Sequence, residues 1–332
     1  MIGLGAVGLL AVCWLTLHYG LSKIAGAFAA IGWGLALMVA VRVLVISGAG
    51  VAWWALVPPE VGATVWTCVR LRWIRESINS LLPVAQMGGD FAGARLLAHA
   101  SPTPSLAAAS VIVDVFVQAS TQLLFTLAGL AVFVAIGGDK NIVIDVLVGV
   151  AVIAPALGGF FVAQWLGGFG WLGARVMRTL ASFGGRQFAK AGGLDEAIRA
   201  IYARRRGLSC SIGLHFLVWC LGVGEIWIGL FFMGHRITVA TALVIESLAQ
   251  AVRAAAFIVP GALGVQEGGF IALSAAFSFP PAVGIALSLA RRACELIPGL
   301  AGLALWHFEE SAILLGRGGE KIAAQRIRRR DI

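Results

Sequence analysis

Long apolar stretches recur along the whole chain and set its predicted architecture. A helix needs about 20 residues to cross a hydrocarbon core of about 30 Å, and six stretches are long and apolar enough to do so. These predicted crossings are residues 2–19, 33–57, 106–136, 142–166, 208–233 and 281–306. The pattern predicts an all-α polytopic membrane protein with about six transmembrane helices.

Two further apolar segments, residues 64–97 and 238–279, are interrupted by charges and by a proline, Pro83 or Pro260. Each predicts two short helices around a Pro/Gly break, because proline removes a backbone donor and glycine permits a sharp turn. We expect both to be broken, re-entrant hairpins. The alternative for the second segment is that it crosses the membrane twice.

Lysine and arginine collect in residues 168–207 and 309–332. Cytoplasmic loops carry an excess of these residues, so we expect both segments and both termini in the cytoplasm. The predicted organisation is an N-terminal half (1–167), an interfacial linker (168–207), a C-terminal half (208–308) and a basic tail (309–332). The tail either binds anionic lipid headgroups or simply fixes the topology.

The two interrupted segments match each other in register. The offset that aligns Pro83 with Pro260, 177 residues (260 − 83), also aligns Asp90 with Glu267 and Asp114 with Arg291. With one hairpin entering from the cytoplasm and the other from outside, this predicts an inverted-topology repeat.

Composition supports the membrane assignment and excludes several classes of function. Hydrophobic residues make up 60% of the chain and charged residues 12%, against about 25% charged in an average soluble domain. The net charge of +9 does not indicate nucleic acid, since the basic residues lie between apolar spans. No P-loop, zinc-ligand pattern or nucleophile motif is present, so we expect no cofactor, no metal and no enzymatic activity.

The first interrupted segment carries a dense cluster of polar residues. Charges in a membrane interior are costly and are functional candidates by default. The candidate substrate-binding residues here are Arg75, Glu76, Asn79, Gln86, Asp90 and Arg95. The alternative is an ordinary cytoplasmic loop with its charges in water.

The second interrupted segment carries Glu246, Gln250 and Arg253, whose spacing places all three on one face of a helix, followed by Gln266 and Glu267. We expect that face to look into a cavity. The alternative is a Glu246 to Arg253 contact that only joins helices.

Asp114 and Arg291 lie at similar predicted depths near the membrane midplane. Either they pair across the repeat interface, or Glu295 binds Arg291 and leaves Arg292 for an anion. A structural ion pair and a substrate or proton role remain open for both residues.

The linker contains two amphipathic pieces, around residues 172–180 and 194–201. Their apolar faces are typical of helices that lie on the membrane surface. We expect them to connect the two halves along the inner leaflet.

The run Glu76-Ser-Ile-Asn-Ser-Leu-Leu-Pro-Val-Ala-Gln-Met-Gly-Gly-Asp90, the later Asp114 and the motif Pro260-Gly-x-x-Gly-Val-x-Glu267 resemble the flippase-like transmembrane domain of lysylphosphatidylglycerol synthases. The amino-acid sequences of residues 72–83 and 111–125 are most similar to the hopanoid-biosynthesis-associated branch of that superfamily. The resemblance implies a bacterial inner-membrane protein with inverted repeats that handles a polar-headed lipid. The soluble aminoacyl-transferase domain of the synthases is absent from the sequence, so we do not expect aminoacyl transfer.

These observations favour an ATP-independent lipid translocase with a hopanoid or a phospholipid as cargo. One alternative is an intramembrane lipid-modifying enzyme that uses Glu76 and Asp90, or Glu246 and Glu267, as acid and base. The other is a non-transporting scaffold for lipid-biosynthesis enzymes.

Overall fold

The computed structural model describes residues 18, 21–82, 84, 87–165, 193–256, 259 and 262–328, and this part of the chain is helical without any strand. Besides a 3-10 turn at Pro59–Val61, it contains α1 (Leu21–Ile31), α2 (Gly34–Leu56), α3 (Val65–Leu81), α4 (Gly88–Ala100), α5 (Pro104–Ala135), α6 (Lys140–Trp165), α7 (Leu194–Ala203), α8 (Arg205–Phe232), α9 (Val239–Ala255), α10 (Val265–Ala276) and α11 (Pro281–Arg328). The predicted all-helical class is therefore confirmed for the described residues.

Four of these helices, α2, α5, α6 and α8, are long and apolar enough to cross a membrane. They coincide with four of the six predicted crossings. The predicted crossing at 2–19 lies outside the described residues, except for His18. The one at 281–306 lies in α11, which is not among the four and whose first half carries Arg291, Arg292 and Glu295.

Each interrupted segment forms two helices, as the pattern predicts. Helices α3 and α4 pack together as the first hairpin, and α9 and α10 pack together as the second hairpin. The prolines predicted to cause the breaks, Pro83 and Pro260, lie outside the described residues.

The first helices of the two hairpins begin in the same way. Thr64 caps α3 by accepting from the Thr67 backbone N–H, and Thr238 caps α9 by accepting from the Thr241 backbone N–H, both at 3.1 Å. Such a cap satisfies one of the backbone donors left free at a helix start. Both helices then run for 17 residues.

Each hairpin also packs against the long helix of the other half. Helix α3 packs on α11 and α9 packs on α5, and α2 packs on α8. A Cβ at Gly302 in α11 would overlap Ser77 in α3, and a Cβ at Gly129 in α5 would overlap Ser247 in α9. Small residues allow membrane helices to approach closely, and here they bring helices of the two halves together at two places.

Helix α7 corrects the expectation for the second amphipathic piece of the linker. Its apolar residues Leu194, Ile198 and Ile201 are buried against Val113 and Val117 of α5, instead of facing the membrane surface. An apolar stripe is covered equally well by a neighbouring helix, and the sequence pattern does not distinguish the two. The piece at 172–180 lies outside the described residues.

Candidate functional site

A polar cavity of about 250 Å³ lies between the two halves of the chain. Helices α2, α3, α4, α5, α8 and α9 line it, so both hairpins contribute. Its charged, amide, imidazole and hydroxyl side chains are Arg42, Arg72, Arg75, Glu76, Asn79, Ser80, Asp90, Gln118, Gln122, His215, Gln250 and Arg253. Among the described residues, four arginines face two carboxylates in this lining, which gives it a surplus of donors and of positive charge.

Asp114 in α5 is fully buried and anchors an ion-pair network behind the cavity wall. Its Oδ2 accepts a hydrogen bond from Arg75 Nη1 at 2.7 Å and lies 3.5 Å from Arg72 Nη1. Its Oδ1 lies 3.0 Å from Nε2 of His215 in α8. This carboxylate therefore joins α3, α5 and α8.

Arg75 is the centre of the first hairpin. Its Nε and Nη2 donate to Asp90 Oδ1 at 2.9 and 2.7 Å, in addition to its bond to Asp114. Its guanidinium lies 4.8 Å from the ring centroid of Trp53, within cation–π range. With all three nitrogens engaged, Arg75 holds α3, α4 and α5 together.

Asn79 connects the two helices of the first hairpin across the break. Its Nδ2 donates to Asp90 Oδ2 at 3.2 Å, and its Oδ1 accepts from the Gly89 backbone N–H at 2.7 Å. A Cβ at Gly89 would overlap the Arg75 carbonyl group, so only glycine permits this close approach. The Gly-Gly-Asp run therefore fixes where Asp90 enters the polar cavity.

Arg72 lies one turn before Glu76 on α3 and has spare donor capacity. Its Nη1 donates to Gln118 Oε1 at 2.7 Å and its Nη2 to Glu76 Oε2 at 3.3 Å. Its Nε is buried without a hydrogen-bond partner in the described part of the protein. A buried donor left unpaired costs free energy, so the bonds of the other two nitrogens hold this side chain in place.

Arg42 in α2 is a cavity residue that the sequence-based candidates omit. Its Nη2 donates to Glu225 Oε2 in α8 at 2.7 Å, and its Nε, like that of Arg72, is buried without a partner among the described residues. His215 was omitted as well. Arg42 and His215 each lie inside a predicted crossing, and an ionisable group there is a signal for function that could have identified them.

Glu246 in α9 is the buried acid of the second hairpin. It pairs with Arg291 of α11 through both carboxylate oxygens, one of them 3.0 Å from Nη2. Gln250 Nε2 donates to Glu246 Oε1 at 2.8 Å, which confirms that these two residues share a helix face.

The other charges of the second hairpin also bind α11. Arg253 pairs with Glu295. Glu267 accepts from the Gly264 backbone N–H at 2.8 Å, which caps α10, and from Arg292 Nε at 2.6 Å. Here the charges mainly fasten short helices to the long one.

The structure brings together six of the thirteen predicted site residues. Arg75, Glu76, Asn79, Asp90, Gln250 and Arg253 line the polar cavity, whereas Arg95, Asp114, Glu246, Gln266, Glu267 and Arg291 do not. Gln86 lies outside the described residues. Among those that do not line it, Arg95 pairs with Glu310 and Gln266 Nε2 donates to Ser288 Oγ at 3.1 Å.

Three pairings that the sequence left open do not form. Asp114 and Arg291 do not pair with each other, because each is neutralised within its own half, by Arg75 and by Glu246. Neither the Arg291 to Glu295 contact nor the Glu246 to Arg253 contact forms, since Arg253 reaches Glu295 instead. Helical spacing predicted contacts along one helix, but partners on neighbouring helices satisfy these charges.

Among the described residues, no His, Cys, Asp or Glu side chains are grouped as a metal site.

Comparison with known proteins identifies the family. No curated protein and no solved structure matches the chain significantly. The family model described as lysylphosphatidylglycerol synthase TM region matches residues 1–302. The match covers most of the chain and agrees with its long apolar helices, and the protein therefore belongs to this family of membrane proteins.

Proposed function

We propose that the protein is an ATP-independent translocase that moves a polar-headed lipid across the bacterial inner membrane. The observation that carries the proposal is the polar cavity, which draws charged side chains from both halves of a membrane protein of a lipid-related family. Irregular backbone and charge persist at membrane depth only where they are buried in protein or line a wet cavity. A headgroup passing between leaflets needs such a cavity.

The lining suits an anionic or hydroxylated headgroup. Arg72 and Arg253, one from each hairpin, supply charge-assisted donors, which are the stronger hydrogen bonds. Glu76 and Asp90 face the same space and would hold an amine or a coupling proton. A phospholipid and a hopanoid with a polar side chain both offer matching groups, and these are the candidate cargoes.

The proposed transport mechanism is alternating access between two inverted halves. Its support is the equivalence of the two hairpins: identical threonine caps, first helices of equal length, and cross-packing of each on the long helix of the other half. Helices α5 and α11 both begin at a proline, Pro104 or Pro281, separated by the same 177 residues (281 − 104). In this proposal the two termini are cytoplasmic and the hairpins face opposite sides.

Translocation in vesicles tests the proposal. The full-length protein would be reconstituted without nucleotide into phosphatidylcholine and phosphatidylglycerol vesicles that contain a trace of headgroup-fluorescent phosphatidylglycerol. A membrane-impermeant quencher reports the fraction in the outer leaflet. We expect Arg72→Gln and Arg253→Gln to slow exchange by about tenfold, because each removes a charge-assisted hydrogen bond worth about 1.5–3 kcal/mol.

The matched control is Arg70→Gln. Arg70 lies on α3, as Arg72 does, but pairs with Glu309 outside the polar cavity and is 37% exposed. Rates equal to wild type in both cavity variants would contradict the proposal and favour a scaffold. A change in the mass of the recovered lipid would instead favour a lipid-modifying enzyme.

A further inference from the structure

An apolar groove adjoins the polar cavity. It encloses about 400 Å³ between α5, α6, α9 and α10 and is lined by side chains such as Leu123, Ile153, Leu157, Leu248 and Leu273. In the described part of the chain, its polar lining residues are limited to Gln122, Thr126 and Asp145. The lining of the groove is thus mostly apolar, whereas the lining of the adjoining polar cavity is rich in charged and amide side chains.

The groove and the polar cavity share part of their lining. Ala119, Gln122 and Ala254 line both of them. The Gln122 side chain donates to the backbone carbonyl of Gln250 at 3.1 Å, so this boundary residue is fixed on the polar side. A molecule that spans the boundary would change from polar to apolar over the width of one side chain.

Helix α6 forms the outer wall of the groove and is the least covered of the candidate spans. No residue in the most apolar 18-residue window of α6 is buried, against at least a third of the window in the other three spans. Gly149 on this helix faces the groove, and a Cβ placed there would meet nothing within 4 Å. The space beside α6 is therefore open to a ligand.

We infer that this groove holds a hydrocarbon chain of the same lipid whose headgroup occupies the polar cavity. An apolar space of this kind does not retain water, so in a membrane it is filled by hydrocarbon. Because the two spaces share a boundary, one amphipathic molecule fills both. The inference rests on the proposed function and adds to it: at least one tail moves against protein instead of staying wholly in the bilayer.

Gly149→Leu tests the inference, with Gly158→Leu as its matched control. Both glycines lie on α6 with nothing within 4 Å of an added Cβ, and both changes favour the helix. Nine residues at about 100° each place Gly158 about 180° from Gly149, on the opposite face. Gly149→Leu therefore fills the groove, while Gly158→Leu adds the same side chain outside it.

The probe is phosphatidylglycerol with a photoactivatable diazirine in the middle of one acyl chain, added to the full-length protein in phosphatidylcholine nanodiscs. We expect wild-type crosslinks to map to groove peptides that contain Leu123, Ile153 or Leu273. Gly149→Leu should lower this labelling by about tenfold, and Gly158→Leu should leave it unchanged. Equal groove labelling in the two variants would overturn the inference.

A second probe links the groove to the polar cavity. Diacylglycerol with the same diazirine chain lacks the phosphate headgroup, so we expect it to label the groove about tenfold less. Equal labelling by both probes would mean that the groove takes bulk lipid chains, which overturns the inference. Headgroup-dependent groove labelling without translocation in vesicles would contradict the proposed function alone, whereas translocation without groove labelling would contradict the inference alone.

Discussion

The two hairpins share an architecture but use opposite signs of charge. In the first, a cation on the short helix, Arg75, meets an acid on the following long helix, Asp114. In the second, an acid on the short helix, Glu246, meets a cation on the following long helix, Arg291. Asp114 and Arg291 stand at equivalent positions, separated by 177 residues (291 − 114).

This comparison separates what the fold needs from what the site needs. A buried charge must be neutralised, but either sign can occupy a given helix if its partner has the other sign. The hairpins differ in the polar groups that remain beyond this pair. Among the described residues, the first hairpin presents Arg72, Glu76, Asn79, Ser80 and Asp90 to the polar cavity, whereas the second presents only Gln250 and Arg253. The cavity is therefore chemically asymmetric although its framework repeats.

The largest expected effect is the loss of stability when Arg75, the central residue of the first hairpin, is replaced. Arg75→Met leaves Asp90 without its arginine partner and Asp114 buried with weaker compensation, and should destabilise the protein by about 3–5 kcal/mol. The measurement is the fraction that stays monodisperse in detergent as temperature rises. A variant as stable as wild type that loses only transport would make Arg75 a ligand-binding residue instead of a structural one.

A double-mutant cycle tests which charges meet. Glu246→Gln and Arg291→Gln should be coupled by about 1–3 kcal/mol in detergent stability, because their side chains are in direct contact. Asp114→Asn and Arg291→Gln should be additive within about 0.5 kcal/mol. Strong coupling of Asp114 with Arg291 would restore a pairing across the repeat and contradict the charge inversion described above.

The acids that follow the two breaks should differ in function. Asp90 lines the polar cavity, so Asp90→Asn should slow translocation by about tenfold, about 1.4 kcal/mol, at matched amounts of folded protein. Glu267 caps α10 outside that cavity, so Glu267→Gln should cost some stability and leave the rate per folded molecule near wild type. Equal losses of rate in both variants would show that the two hairpins serve the cargo alike.

The smallest expected effect concerns the helix caps. Thr64→Ala and Thr238→Ala each remove one cap hydrogen bond of the same geometry and should each cost about 1 kcal/mol. Thermal unfolding in detergent measures both. If the stability losses of the two variants differ by more than about 1 kcal/mol, the N-termini of α3 and α9 are not equivalent.

Part of the candidate site was predictable because its polar residues interrupt apolar sequence. Glu76, Asn79 and Asp90 were found in this way, and the structure places all three at the polar cavity. Arg42 and His215 were missed, since each is a single polar residue in a long crossing and gives no cluster in the sequence. Arg95 was predicted from the same cluster, but its side chain pairs with Glu310 and does not line the cavity.

The sequence by itself determined the helical class, four of the spans, the two interruptions and which charged residues those interrupted segments contain. These follow from hydrophobic length and from backbone chemistry, which act locally along the chain. Only the tertiary structure decided which charges pair, which of them remain facing the polar cavity, and where an apolar groove opens beside it. A buried charge takes the partner that packing brings within reach, and Asp114 meets His215 across 101 positions in sequence, a contact that no local pattern encodes.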